Sequence, residues 1–148
     1  MSENIADYKY KTPIALRFAD IDAAGHVNNA VYLTYFEVAR FAYWKDVTEW
    51  NLRRDGIIVG RCEVSYLKPI TLEDKIYCYV RTTRIGNSSF DMMQLLVRET
   101  PDGEEICTVG KTVCISYDYR LNKSVPIPDV ERKKMIAYDE PRLITNTN

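Results

Sequence analysis

Histidine is almost missing from this chain: His26 is the single one in 148 residues. The four cysteines, Cys62, Cys78, Cys107 and Cys114, show no Cys-x-x-Cys or Cys/His spacing. A zinc site needs such a cluster, so no metal and no cofactor are expected. No apolar run approaches the roughly 18–20 residues that span a bilayer. The start, MSENIADYKYK, has no apolar stretch behind a basic head and does not read as a secretory signal. A cytoplasmic location with reduced, buried thiols is the expectation. Charge of one sign is also missing. Lys and Arg total 20 against 21 Asp and Glu, which leaves no electrostatic footprint for nucleic acid. With six glycines there is no Gly-rich phosphate loop, and hence no support for nucleotide hydrolysis.

What is present reads as one domain over residues 1–148, with no internal repeat or linker. Lys11–Phe18 is strand-like and runs into the polar turn Ala19–Gly25. Ala30–Trp44 follows, apolar except at Thr34, Glu37 and Arg40. Those three are spaced by three, which predicts a helix buried nearly all round with one polar stripe. Asn28 or Asn29 is its expected N-cap. Within the stripe, Glu37 and Arg40 are expected to pair with each other.

From Gly56 the hydrophobic period becomes two. Gly56–Leu67, Lys75–Arg84, Ser89–Glu99 and Glu105–Asp118 read as strands, separated by Lys68-Pro69, Gly86-Asn87 and Pro101-Asp102-Gly103. Their short connections predict an antiparallel meander. Asp129–Tyr138 reads as a short helix capped by Asp129, and Ile144–Asn148 as a frayed end. The expected architecture is α+β, a curved five-stranded antiparallel sheet around one long helix. One helix cannot cover such a sheet and its edges, so edge pairing into a homodimer, or a dimer of dimers, is expected.

The stretch Asp20-x-Asp22-x-x-Gly25-His26-Val27-Asn28-Asn29 places carboxylates just ahead of a helix N-terminus. First-turn amides lack intrahelical acceptors and favour negative charge. One of them can hold an acyl oxygen that gains charge under attack. A facing carboxylate can attack the carbonyl or deprotonate water. Gly25 lets the backbone come close or take positive φ. The same residues also suit a plain Asx turn before a helix. The pattern alone does not choose between Asp20 and Asp22, and His26 can orient a carboxylate, touch ligand or simply pack.

Arg17-Phe18-x-Asp20-x-Asp22-x-x-Gly25-His26-Val27-Asn28-Asn29, followed by Tyr32-x-x-Tyr35-Phe36-Glu37-x-Ala39-Arg40, resembles the signature of hotdog-fold acyl-CoA thioesterases of the 4-hydroxybenzoyl-CoA thioesterase-like group. Val64–Pro69 and Asp74 continue the likeness more loosely. The resemblance implies a hotdog fold assembled as dimers or tetramers with sites at the subunit interface. It implies Asp22 as the catalytic carboxylate and the Asn29 backbone amide as oxyanion donor, with the Asn28 amide the less favoured one. Gly25 and His26 complete the catalytic segment. Asn28 and Tyr32 are expected against the substrate, and Arg84 and Ser88, near the middle-strand turn, against the phosphates of coenzyme A. The substrate implied is an acyl-CoA or an acyl carrier protein thioester. Two other functions fit the same residues: a hotdog dehydratase or hydratase using Asp22 with His26, and a non-catalytic acyl-thioester binder.

Overall fold

The computed structural model describes residues 3–144. The frayed end expected over Ile144–Asn148 therefore lies, except for Ile144, outside the described residues. Ile144 itself donates its amide to the Ile85 carbonyl at 2.8 Å.

The period-two segments form the strands β1 (Tyr10–Ile14), β2 (Gly56–Tyr66), β3 (Ile76–Ile85), β4 (Ser89–Thr100) and β5 (Gly103–Asp118). Two short pieces, β6 (Lys123–Ser124) and β7 (Arg142–Leu143), pair with β5 and β3. The long strands pair antiparallel in the order β1-β3-β4-β5-β2. Register shifts at Val59/Arg61, Thr82/Arg84 and Leu96/Val97 add local twist that helps curl the sheet. The helix α1 (Val31–Val47) lies in the hollow. Its Phe36, Ala39 and Tyr43 are fully buried in one core with Ile70, Ile76, Phe90, Met92 and Leu96. The Phe36 ring would lie 2.6 Å from a Cβ at position 110, so the close approach of helix to sheet requires Gly110. The helix α2 (Asp129–Asp139) buries Met135 against the same core. The opposite sheet face has its own small cluster, in which Tyr8 from the N-terminal segment covers Tyr79, Leu95 and Val97. No helix among the described residues is long and apolar enough to cross a membrane.

Several expectations change. The first strand ends at Ile14 rather than Phe18, because Phe18–Asp20 winds into a 3-10 turn whose Asp20 side chain accepts from the Arg17 amide. The meander holds only for β3–β4–β5. β2 does not neighbour β3 but pairs with β5 on the far edge. Its end is clamped there by the Leu67 and Lys68 amides, both donating to the Cys107 carbonyl. The link 67–75 then carries Ile70 into the core, and its carbonyl accepts from the Val27 amide at 2.8 Å. A connection anchored in the core in this way crosses the end of the sheet instead of turning back as a hairpin. The helix α2 begins at Asp129, with Pro128 in the capping place, and Asp129 and Glu131 lie in its first turn, where acid side chains suit the helix dipole.

The helix α1 starts at Val31, with Ala30 rather than an asparagine in the capping place. It is not buried all round: Leu33, Val38 and Phe41 are each about half exposed, at 47%, 51% and 47%. The polar stripe also splits. Three residues turn an α-helix by about 300°, so Arg40 lies roughly 120° round from Thr34. Thr34 and Glu37 face outward while Arg40 points at the sheet, 5% exposed. There its Nη1 donates to Gln94 Oε1 and Thr112 Oγ1, both at 3.3 Å, and the expected pair with Glu37 does not form within the chain. Three cysteines are buried as expected. Cys62, on the edge strand β2, is exposed.

Candidate active site

The two carboxylates ahead of α1 are held very differently. Asp20 is 1% exposed. Its Oδ1 accepts from Arg17 Nε at 3.0 Å and Nη2 at 2.8 Å, and its Oδ2 from the Arg17 amide at 3.0 Å and Tyr35 Oη at 2.6 Å. Burial pushes its carboxyl upward, but the hydrogen bonds from Tyr35 and Arg17 outweigh that and hold it below the ordinary aspartate value. Burial and the Asp20 charge push the Tyr35 hydroxyl the other way, up out of the tyrosine range. Every accepting position a substrate would need on Asp20 is already engaged.

Asp22 sits in a tight exposed hairpin. Its amide donates to the His26 carbonyl at 2.8 Å, its carbonyl accepts from the Gly25 amide at 3.0 Å, and Ile21 bridges to Val27. Gly25 takes φ +85° at the bend, a conformation that a side chain would strain. The Asp22 side chain closes an Asx turn: Oδ1 accepts from the Ala24 amide at 2.9 Å and more weakly from the His26 amide at 3.4 Å. The turn and the chemistry are not alternatives, because Oδ2 carries no hydrogen bond among the described residues. One oxygen is fixed and the other is free.

The amides at the helix entrance separate in the same way. Asn28 donates its N–H to the Asp20 carbonyl at 2.8 Å, so it has none to offer. The Asn28 Oδ1 accepts from the Ala30 amide at 2.9 Å and its carbonyl from the Val31 amide at 2.9 Å, which shapes the turn into the helix. The Asn29 carbonyl accepts from Tyr66 Oη at 2.7 Å. Its N–H has no acceptor among the described residues.

Asp22, His26, Asn29 and Tyr32 line one cavity of about 420 Å³. Val27 and the segment Tyr66–Pro69 form its other wall. Tyr32 is buried and meets the Tyr66 ring edge-on at 4.9 Å. His26 is exposed. Sequence reasoning did not single out Tyr66 or Lys68 as site residues. The signal available was the end of a strand at Lys68-Pro69, the point where a chain leaves a sheet and opens a pocket. Lys68 pairs with Glu105, which also accepts from Arg98 Nη2 at 3.0 Å.

Arg84 and Ser88 are not brought beside Asp22 within one chain. Arg84 pairs with Asp91 at 2.9 Å and lines a separate cavity of about 580 Å³ with Arg81, Lys111 and Arg142. The Ser88 carbonyl accepts from the Ser116 amide at 2.8 Å. No group of three or more His, Cys, Asp or Glu side chains suited to a metal occurs among the described residues.

Known proteins are similar to this chain. YsmA of Bacillus subtilis is 25% identical over 130 residues, 87% of this chain and 86% of that protein. The long-chain acyl-CoA thioesterase FadM of Escherichia coli is 26% identical over 129 residues, 84% of this chain and 96% of that protein. A thioesterase of Thermus thermophilus, crystallised with coenzyme A and zinc, is 32% identical and superposes with a TM-score of 0.79, covering 92% of this chain and 98% of the other. The curled sheet around one helix is the hotdog fold, shared with the Thermus thermophilus thioesterase. Residues 16–135 match the model of one family across most of the chain, and the chain belongs to that family, the thioesterase-like superfamily.

Proposed function

We propose that the chain hydrolyses acyl-CoA or acyl carrier protein thioesters to a free acid and a thiol, with Asp22 as the catalytic carboxylate and the Asn29 amide as the oxyanion donor. The observation that carries this reading is that Asp22 and Asn29 line one cavity and that each has a group without a hydrogen bond among the described residues, Oδ2 and the backbone N–H. The name of FadM, a long-chain acyl-CoA thioesterase, and the coenzyme A bound to the Thermus thermophilus thioesterase support the substrate class. Asp22 either takes a proton from water or attacks the carbonyl carbon itself. In both routes the carbonyl oxygen gains charge and the Asn29 amide holds it. The tetrahedral species collapses by breaking the C–S bond, which gives the free acid directly in the first route and an Asp22 acyl anhydride that water then hydrolyses to the acid in the second. An ordinary thiol has a pKa near 8.5, so the sulfur departs as a thiolate with no strong acid nearby. Tyr32 and Tyr66 supply the apolar wall and Gly25 the bend, and Asn28 shapes the donor turn. His26 stands at the mouth beside the substrate. Arg84 and Ser88 are assigned to the phosphates of coenzyme A. The working unit is a homodimer, or a pair of dimers, joined through the open β2 edge.

The test is thiol release from short, medium, long-chain and aromatic acyl-CoAs. Hydrolysis of at least one class supports the proposal. Absence of thiol release from every CoA ester and from acyl carrier protein thioesters overturns it. An enoyl absorbance change without thiol release would indicate the dehydratase chemistry instead.

A further inference from the structure

Arg40 presents a problem that the chain does not solve alone. Its guanidinium is buried, its Nε has no hydrogen-bond partner, and its two contacts are to neutral oxygens. No carboxylate of the chain forms an ion pair with it among the described residues. Taking a charge out of water without a counter-charge costs several kcal/mol, so a carboxylate is expected to come from outside.

The surroundings say where from. Thr112, which Arg40 touches, lies on β5 opposite Cys62 of the exposed edge strand β2. Arg40, which also reaches Gln94 on β4, therefore sits one strand in from the open flank of the sheet. Leu33, Glu37, Arg40 and Trp44 fall within about 60° of one another around α1, along the border between its outward side (Leu33, Glu37) and its sheet-facing side (Arg40, Trp44). Leu33 is half exposed and Glu37 is exposed. Phe41, half exposed, stacks on Trp44 with ring centroids 5.8 Å apart. The spacing of 33, 37, 40 and 44 is four, three and four, symmetric about a point between Val38 and Ala39. An apolar–acid–base–apolar row with that symmetry is self-complementary. Laid antiparallel on its own copy across a two-fold axis, it sets each Glu37 against the other chain's Arg40 and each Leu33 against the other chain's Phe41–Trp44 pair. A two-fold interface demands such a surface. β2 next to it exposes Val59 and Tyr66, the apolar side chains such an interface would cover.

We propose that Glu37 of one protomer neutralises the buried Arg40 of a second copy, twice per dimer, and that this reciprocal pair fixes the register of two antiparallel α1 helices. The pairing rests on the homodimer reading given above. It also accounts for a charged residue of each sign in the helix: neither forms an ion pair among the described residues, and each completes the other's environment in the assembly.

The experiment is sedimentation of charge variants, each checked for folding by circular dichroism. Removing one partner of a buried interfacial charge pair typically weakens association by roughly thirtyfold or more. Glu37→Arg, a change at an exposed position, is expected to shift the protein to monomer, as is Arg40→Glu. Mixing the two variants restores opposite charges on both pairs and is expected to return a heterodimer. Two folded variants that stay monomeric when mixed, or that each dimerise like wild type, overturn the pairing. Should Arg40→Glu fail to fold, Arg40→Met and Glu37→Gln take its place. Their effects on the dimer dissociation constant are expected to be no larger together than singly, and full additivity overturns the proposal. A wild-type protein that is monomeric at all concentrations would instead refute the homodimer reading, whereas a wild-type dimer without charge coupling refutes only the pairing.

Discussion

Asp20 and Asp22 are two residues apart and lead different lives. Asp20 is enclosed, with Arg17 and Tyr35 occupying both of its oxygens. Asp22 is open and lines the cavity, with one oxygen tied to turn amides and the other without a hydrogen bond among the described residues. Residues two apart on a strand share a face, but here the 3-10 turn at Phe18–Asp20 and the hairpin at Asp22–Gly25 rotate them apart. The first carboxylate builds the loop, and the second keeps one oxygen free of hydrogen bonds among the described residues. The lesson is that two carboxylates equally close to a helix N-terminus can differ in whether a lone pair is left unspent, and the proposed function rests on that difference.

That contrast can be broken in order of expected effect. Asp22→Asn keeps the oxygen that the Ala24 amide binds, so folding should hold, while turnover falls by about 10²–10⁴, the usual contribution of a positioned base. Steady-state thiol release on the variant checks this, and a urea midpoint equal to wild type checks the fold. Asp20→Asn has the opposite profile. It weakens a buried, charge-assisted set and is expected to cost about 1–3 kcal/mol of stability, read by urea unfolding. Tyr35→Phe removes the single 2.6 Å donor and should cost about 1 kcal/mol by the same measurement. Gly25→Ala meets open space but a positive φ, so about 1 kcal/mol of strain is expected, with a loss of turnover as the Asp22 turn shifts.

Acid sharpens the comparison further. The Asp20 carboxyl lies below its ordinary value in the folded chain. The stability it contributes is therefore complete above the unfolded value of about 3.9 and is lost as pH falls through the lowered folded one. The wild-type urea midpoint should drop below about pH 4 more steeply than that of Asp20→Asn. Parallel profiles would show that Asp20 is not a source of acid sensitivity.

Much of the fold was legible because local signals agreed with it. The period-two runs became β2–β5, the Pro101-Asp102 turn joined β4 to β5, and the apolar run became α1. What was not legible depended on contacts distant in sequence. Nothing local says that Ile70 is buried, and that burial sends β2 across to β5. The three-residue spacing of Thr34, Glu37 and Arg40 looked like a stripe, but its drift around the helix turns Arg40 inward. At the site, the motif pointed to Asp22, Gly25, His26 and Asn29 as neighbours, and Asp22, His26 and Asn29 do share a cavity, with Gly25 at the bend between them. The wall from Tyr66 to Pro69 was missed because a residue that closes a strand carries no chemical mark of the loop it will face.

The most direct measurement compares thiol release by wild type, Asp20→Asn and Asp22→Asn on one acyl-CoA, each rate divided by its folded fraction. The account predicts wild-type turnover per folded molecule for Asp20→Asn and a collapse for Asp22→Asn. Turnover retained in Asp22→Asn and lost in Asp20→Asn would contradict it.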